Sequence, residues 1–351
     1  MSPYIFATFL SMLGLGTTIT FASSHWFLAW MGLEINTLAI LPLMVSSHHP
    51  RATEAATKYF MAQATAASAL LFAAVTNAWL VGQWDMLQLN HPLPIALAIL
   101  ALAMKLGVAP FHFWLPEVLQ GLNFFTALIL LTWQKLAPLA LLTYTEPSNH
   151  TLLLSMGLLS ALVGGFGGLN QNELRKIFAY SSIAHLGWMM LALPFSRPLA
   201  LFTLLIYLIM TAATLLTLEK MRVTKTHQLS IACSGDPLLT ALLLLILLSL
   251  AGLPPLMGFA PKWFILHELV AHNLNTLATL AALSALFSLY FYLRLCTVLV
   301  MTIPPNTATG TSTWRLRFSR IPTPLMLTAV ISLASFPFTP SFLTMMTKLI
   351  P

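Results

Sequence analysis

The sequence has 351 residues, 58% of them hydrophobic and only 7% charged, with sixteen Lys and Arg against nine Asp and Glu. A soluble domain carries about 25% charged residues, so a water-soluble globule of this length is excluded and the apolar surface must face lipid. The net charge of +7 sits on basic residues in short loops between apolar runs. That pattern points to an anionic membrane face as partner rather than to nucleic acid.

Lipid admits only helices or closed barrels, because every backbone polar group must be satisfied internally. Barrel strands would alternate apolar and polar over roughly ten residues. Runs such as Pro237 to Leu253 are longer and unbroken, so the fold class is all-α, a polytopic membrane protein. The first residues, Met1 to Phe6, lack the basic stretch and cleavage site of a secretory signal, so either the chain inserts through its own first helix or it is made in the compartment that uses it.

Apolar runs of about twenty residues predict about eleven transmembrane helices, at 3–22, 25–45, 55–80, 94–111, 123–144, 151–169, 174–194, 198–218, 237–258, 275–300 and 323–345. Pro337 and Pro340 interrupt the last. Loops after even-numbered spans carry Arg51, Lys58, Arg175, Lys176, Lys220, Arg222, Lys225, Arg315, Arg317 and Arg320. Lys262 at the ninth-span break apart, loops after odd-numbered spans carry Arg197 as their only basic residue, with Asp85, Glu146 and Glu268. By the positive-inside rule, the N-terminus and the even loops face the cytoplasm or the mitochondrial matrix, and the C-terminus faces the other side.

An internal repeat lies in this pattern. Gly107-Val-Ala-Pro110, then Pro116 and Glu117, is matched by Gly252-Leu-Pro-Pro255, then Pro261 and Lys262. Both fall at the end of a span, the fourth and the ninth. Five spans apart is an odd separation, which inverts the second unit relative to the first, as in secondary transporters. The chain reads as one domain, 1–351. Two inverted five-helix repeats, at about 3–144 and 151–300, have discontinuous fourth and ninth helices, and a C-terminal helix follows at about 323–345. Glycine and proline that merely end two helices are the plainer alternative.

Charges inside apolar spans carry the functional signal, since each costs about 2.5–3.5 kcal/mol at the bilayer centre on insertion scales. Glu34 lies mid-way along the second span, Lys105 just before the fourth-span break, Lys135 central in the fifth span and Lys262 just after the ninth-span break. Their chemistry is proton carriage. Lysine in water holds its proton to a pH near 10.4; burial favours the neutral amine and a nearby carboxylate favours the charged one. Movement of Glu34 relative to Lys105 would therefore switch that lysine between holding and releasing a proton. His112, inside the fourth-span break, and His185, mid-span, are candidate relays. An inert ion pair, a snorkelling lysine or a packing histidine is the alternative for each.

Other patterns are set aside. His267 and His272 are spaced i, i+5, whereas the zinc-protease motif needs i, i+4. Gly164 to Gly168 lacks the Gly-Lys-Ser/Thr of a phosphate loop and reads as a close-packing helix face. The two cysteines, Cys233 and Cys296, cannot supply the roughly four thiolates of an iron–sulfur cluster. No metal or cofactor site is expected on this chain.

Three stretches carry a family resemblance: Lys105-Leu-Gly-Val-Ala-Pro-Phe-His112-Phe-Trp-Leu-Pro-Glu117, Thr132-Trp-Gln-Lys135-Leu-Ala-Pro138 and Gly252-Leu-Pro-Pro-Leu-Met-Gly-Phe-Ala-Pro-Lys262-Trp263. With Glu34 and the Arg175–His185 stretch, the chain resembles the antiporter-like membrane-arm subunits of respiratory complex I along essentially its whole length. The resemblance implies a proton-translocating subunit of NADH:ubiquinone reductase in the mitochondrial inner membrane, its N-terminus in the matrix and its C-terminus in the intermembrane space. It implies Glu34–Lys105 as a modulating ion pair, Lys135 as central carrier, Lys262 as exit-side carrier, and His112 and His185 as relays. NADH, FMN, iron–sulfur clusters and ubiquinone would be bound by partner subunits. The implied partners are other membrane-arm and accessory subunits and anionic lipids such as cardiolipin. Buried lysines and broken helices alone fit a free-standing cation/proton antiporter equally, and a scaffold with inert buried charges is a third reading.

Overall fold

The computed structural model describes residues 2–46, 48–86, 88–89, 91–145, 150–232, 237–301 and 322–349. Glu146, Cys233, Arg315, Arg317 and Arg320 lie outside the described residues. Among the described residues the chain is helical without a strand, and it divides into two compact units, Met1–Val163 with Ser182–Arg197, and Gly164–Ser181 with Pro198–Pro351.

The first unit begins with α1 (Pro3–Ala22), α2 (Trp26–Val45) and α3 (Pro50–Val81). Their starts follow from local chemistry. Proline at the first helical position lacks only an N–H that would be orphaned there, and it opens α1 and α3. The residue before each helix caps it: Ser2 Oγ accepts from Ile5 N, His25 Nδ1 from Phe27 N and His49 Nδ1 from Arg51 N. The two histidines are thus N-caps. Starting at Pro50, α3 is 32 residues long, about 48 Å at 1.5 Å per residue, and it takes in Arg51, which the sequence assigns to a loop.

Next come α4 (Pro92–Leu106), α5 (Trp114–Gly121), α6 (Phe124–Leu131), α7 (Trp133–Tyr144) and α8 (His150–Gly167). The fourth predicted span therefore stops at Leu106 rather than at 111 and resumes as α5. The fifth is interrupted at Thr132, where φ is −108° and ψ −70°. Thr132 Oγ1 donates to the Leu128 carbonyl at 2.6 Å, a side-chain bond that bends helices. Pro138, having no N–H, leaves the Gln134 carbonyl without its intrahelical donor.

The remaining elements are α9 (Leu174–Ala192), α10 (Arg197–Met221), α11 (Thr226–Ala232), α12 (Pro237–Ala251), α13 (Phe259–Ala271), α14 (Asn275–Met301), α15 (Thr323–Ala334), a 3-10 turn (Phe336–Phe338) and α16 (Thr339–Leu349). The ninth predicted span breaks at Gly252 and resumes as α13. The eleventh breaks after α15 and bends by 65°, at the prolines that weaken it in the sequence. With α6 and α7 taken as one, seven of the described helices are long and apolar enough to cross a bilayer, and the bent pair is an eighth candidate. α4 and α12 are shorter because a break ends each, and α9 carries Arg175 and Lys176 in its first turn. Every predicted span thus corresponds to a helix or a broken helix.

The two breaks have the same construction. Gly107 has φ +78° and Gly252 φ +83°, the left-handed region that only glycine enters without cost. In the first, Gly107 N donates to the Met104 carbonyl at 3.2 Å and Val108 N to Ala103 at 3.0 Å. In the second, Gly252 N donates to Ser249 at 3.0 Å and Leu253 N to Leu248 at 3.4 Å. Each is a Schellman ending, with the 6→1 and 5→2 bonds that satisfy the last carbonyls of a helix. The peptides Ala109–Pro110 and Pro254–Pro255 are both cis.

Candidate functional site

The first break exposes three carbonyls that would otherwise be buried orphans, and each finds a donor. Gly107 and Val108 cover Ala103; Gly107 and the Trp114 indole Nε1, at 3.2 Å, cover Met104; Gln63 Nε2 reaches the Lys105 carbonyl at 3.3 Å. This network holds the end of α4 against α3 and α5, and it fixes the backbone from which the Lys105 side chain projects.

Lys105 is 5% exposed and Lys135 3%. Both line one small cavity in the first unit, together with Thr37, Tyr59, Gln63 and Gln134 among others. The cavity leaves about 20 Å³ for water-sized molecules, enough for a single water, which needs polar partners such as these. Gln134, beside Lys135, donates from Nε2 to the Asn36 carbonyl at 3.2 Å, which ties α7 to α2.

Glu34, on α2, is half-buried, and its Oε2 is a buried atom without a hydrogen-bond partner; the same holds for Nζ of Lys105. The two are not hydrogen-bonded to each other, yet Glu34 is the opposing charge that acts on the Lys105 ammonium.

His112 lies in the first break, 6% exposed, with its ring against Phe113 at a centroid distance of 4.3 Å. Its ring is hydrogen-bonded to the backbone at Pro110, a residue whose backbone can only accept, and Nδ1 is a buried atom without a partner. His185 is half-buried in α9. Neither histidine lines the Lys105–Lys135 cavity.

Lys262 belongs to the second unit. It is 8% exposed, and its Nζ donates to the Ala251 carbonyl at 2.9 Å. The ammonium of α13 thus caps the last turn of α12, where the helix dipole favours a cation. Its sequence counterpart in the first break, Glu117, is different: it is exposed and pairs with Lys58 at 2.8 Å, which also reaches Glu54 at 2.8 Å.

The structure therefore brings Lys105 and Lys135 to one cavity with Glu34 acting on the first, and places Lys262 on a helix end of its own. Tyr59, Gln63, Thr37 and Gln134 were not singled out in the sequence. Their signal was a polar group at i, i+4 on one face of an apolar helix, as for Tyr59 and Gln63, or beside a buried lysine, as for Gln134.

Residues 23–288 match the family described as NADH:quinone oxidoreductase/Mrp antiporter, TM, and residues 289–343 match NADH dehydrogenase subunit 2 C-terminus. Two full-length relatives are NADH-ubiquinone oxidoreductase chain 2 of Tetraodon nigroviridis, 60% identical over 98% of this chain and 99% of its own, and that of Salmo salar, 58% identical over 99% and 100%. The chain belongs to the NADH-ubiquinone oxidoreductase chain 2 family. A chain of respiratory complex I from Thermus thermophilus, solved with bound aureothin, is 27% identical and superposes with a TM-score of 0.86 over 98% of this chain and 80% of its own. All six predicted site residues fall within the antiporter-type stretch 23–288.

Proposed function

We propose that this chain moves protons across the mitochondrial inner membrane as a core membrane-arm subunit of NADH:ubiquinone oxidoreductase, driven by electron transfer on partner subunits. The observation that carries the reading is the shared cavity of Lys105 and Lys135. Two lysines facing one water-sized space, in the interior of a membrane unit, are placed to pass a proton between them, and Glu34 biases the first of the two. Lys105 holds or releases according to the position of Glu34, Lys135 carries centrally, and Lys262 carries on the exit side. His112 and His185 serve as relays.

Partner subunits hold NADH, FMN, the iron–sulfur clusters and ubiquinone. Two cysteines are too few for an iron–sulfur cluster on this chain. The two glycine-ended breaks of equal construction support two inverted five-helix repeats. The loop charges support an N-terminus in the matrix, a C-terminus in the intermembrane space, and contact of Lys220, Arg222 and Lys225 with anionic lipids such as cardiolipin.

Because the matching family description also names Mrp antiporters, a free-standing cation/proton antiporter is the second reading. Affinity isolation of the tagged chain from mild-detergent extracts separates the two. Recovery with NADH-oxidising partners is the expected result. A chain isolated alone that exchanges Na⁺ or K⁺ for protons in vesicles would overturn the assignment.

A further inference from the structure

Tyr59 is fixed in place by three helices. It sits on α3, 2% exposed, and packs edge-on against Trp114 of α5 with ring centroids 5.7 Å apart at 64°. The Trp114 indole is in turn held by the Met104 carbonyl of α4 at 3.2 Å. So mounted, the tyrosine lines the cavity that Lys105 and Lys135 share.

Two groups on the neighbouring helices α2 and α4 have unused hydrogen-bonding capacity, and the second of them, Lys105, lines the same cavity. Oε2 of Glu34 and Nζ of Lys105 are both buried without partners, and leaving such groups unsatisfied costs about 1–3 kcal/mol each, more when charged. The Glu34 carboxylate acts on Tyr59 as well as on Lys105. A carboxylate only accepts and an ammonium only donates, whereas a phenol does both at once. The cavity that Tyr59 and Lys105 share has room for one water, and one hydroxyl with one water would link the ammonium to the carboxylate.

We propose that Tyr59 is a relay residue of the proton path, its hydroxyl joining Glu34 to the cavity water that Lys105 donates to. This rests on the reading of Lys105 as a proton carrier. In the transfer a Lys105 N–H bond breaks as the water gains that proton. The water passes one of its own to the Tyr59 oxygen, and the Tyr59 proton goes to Glu34. Ammonium and carboxylate become amine and carboxylic acid, while water and phenol end as they began. A tyrosine kept only for its ring would make no such difference, because phenylalanine preserves the contact with Trp114.

The test is Tyr59→Phe in the intact complex. Assembly and NADH oxidation by a water-soluble artificial acceptor should be unchanged. Coupled ubiquinone reduction should fall between about tenfold and a hundredfold, the loss of a hydrogen bond to a charged group. Its solvent deuterium isotope effect should rise above wild type, which a packing defect would not cause. A wild-type coupled rate and isotope effect in assembled Tyr59→Phe would overturn the proposal. If that variant does not assemble, infrared difference spectra of wild-type complex carrying ring-labelled tyrosine decide. A tyrosine C–O band that shifts on NADH addition and vanishes in Glu34→Gln supports the relay, and its absence from wild type overturns it. Normal pumping in Lys105→Ala would instead remove the carrier reading beneath it, so the two failures are distinguishable.

Discussion

Lys262 and Ala251 meet across the second helix break, the lysine Nζ donating to the alanine carbonyl at 2.9 Å. The last carbonyls of a helix lack intrahelical donors and carry its negative dipole end, so this ammonium satisfies a backbone group and gains a favourable field. The arrangement depends on Gly252. A Cβ there would lie 3.0 Å from Lys262 Nζ and 3.2 Å from its Cδ, at a φ of +83°.

Gly252→Ala should therefore impair coupled turnover as well as stability. The left-handed backbone alone costs about 1–2 kcal/mol with a side chain, and displacement of Lys262 adds the functional loss. Gly82→Ala is the control, since Gly82 has φ +77° with no atom within 4 Å of an added Cβ. It should lower thermal stability by a similar backbone term and leave turnover intact. Equal turnover in the two assembled variants would remove the link between Gly252 and Lys262.

Glu34 and Lys105 should behave as a coupled pair. Glu34→Gln leaves Lys105 as a lone buried charge, and Lys105→Ala leaves Glu34 so. Each single change should cut coupled turnover, and the double variant should be less defective than the two losses multiplied, with an interaction energy of about 0.5–3 kcal/mol. Strictly multiplicative losses in a kinetic double-mutant cycle would show that the two act independently.

Topology follows from the charges. Cysteines introduced at Arg51, Arg175 or Arg222 should react with an impermeant maleimide only from the matrix side, and one at Asp85 only from the intermembrane space. Labelling of Asp85→Cys and Arg175→Cys from the same side would contradict the span count on which the orientation rests.

Much of this arrangement was legible in the sequence because membranes leave few options. Spans were read from apolar length, and the breaks at Gly107 and Gly252 from glycine and proline at matched spacing, since both features are local. The helix start at Pro50 and the capping by His49 are local too, but histidine is not a usual cap and gives no start signal in the sequence. The interruption at Thr132 was hidden, because threonine bends a helix only when its hydroxyl turns back to Leu128. The cavity was hidden for a different reason. Which of Tyr59, Gln63 and Gln134 face Lys105 depends on how α2, α3, α4 and α7 pack, and one sequence carries no direct record of that. The opposite fates of Glu117, exposed beside Lys58, and Lys262, buried on Ala251, likewise follow from tertiary neighbours that their equal spacing does not encode.

Lys135, in the function proposed above, carries protons in the interior of the first unit. Its most direct test is proton pumping per NADH oxidised by Lys135→Met complex reconstituted in vesicles, since methionine fills the space without an amine. The expected result is an assembled complex whose proton translocation and coupled ubiquinone reduction fall at least about tenfold. Lys135→Arg should recover neither fully, because guanidinium does not release its proton in this pH range. An assembled Lys135→Met complex that pumps at the wild-type ratio and rate would contradict the account.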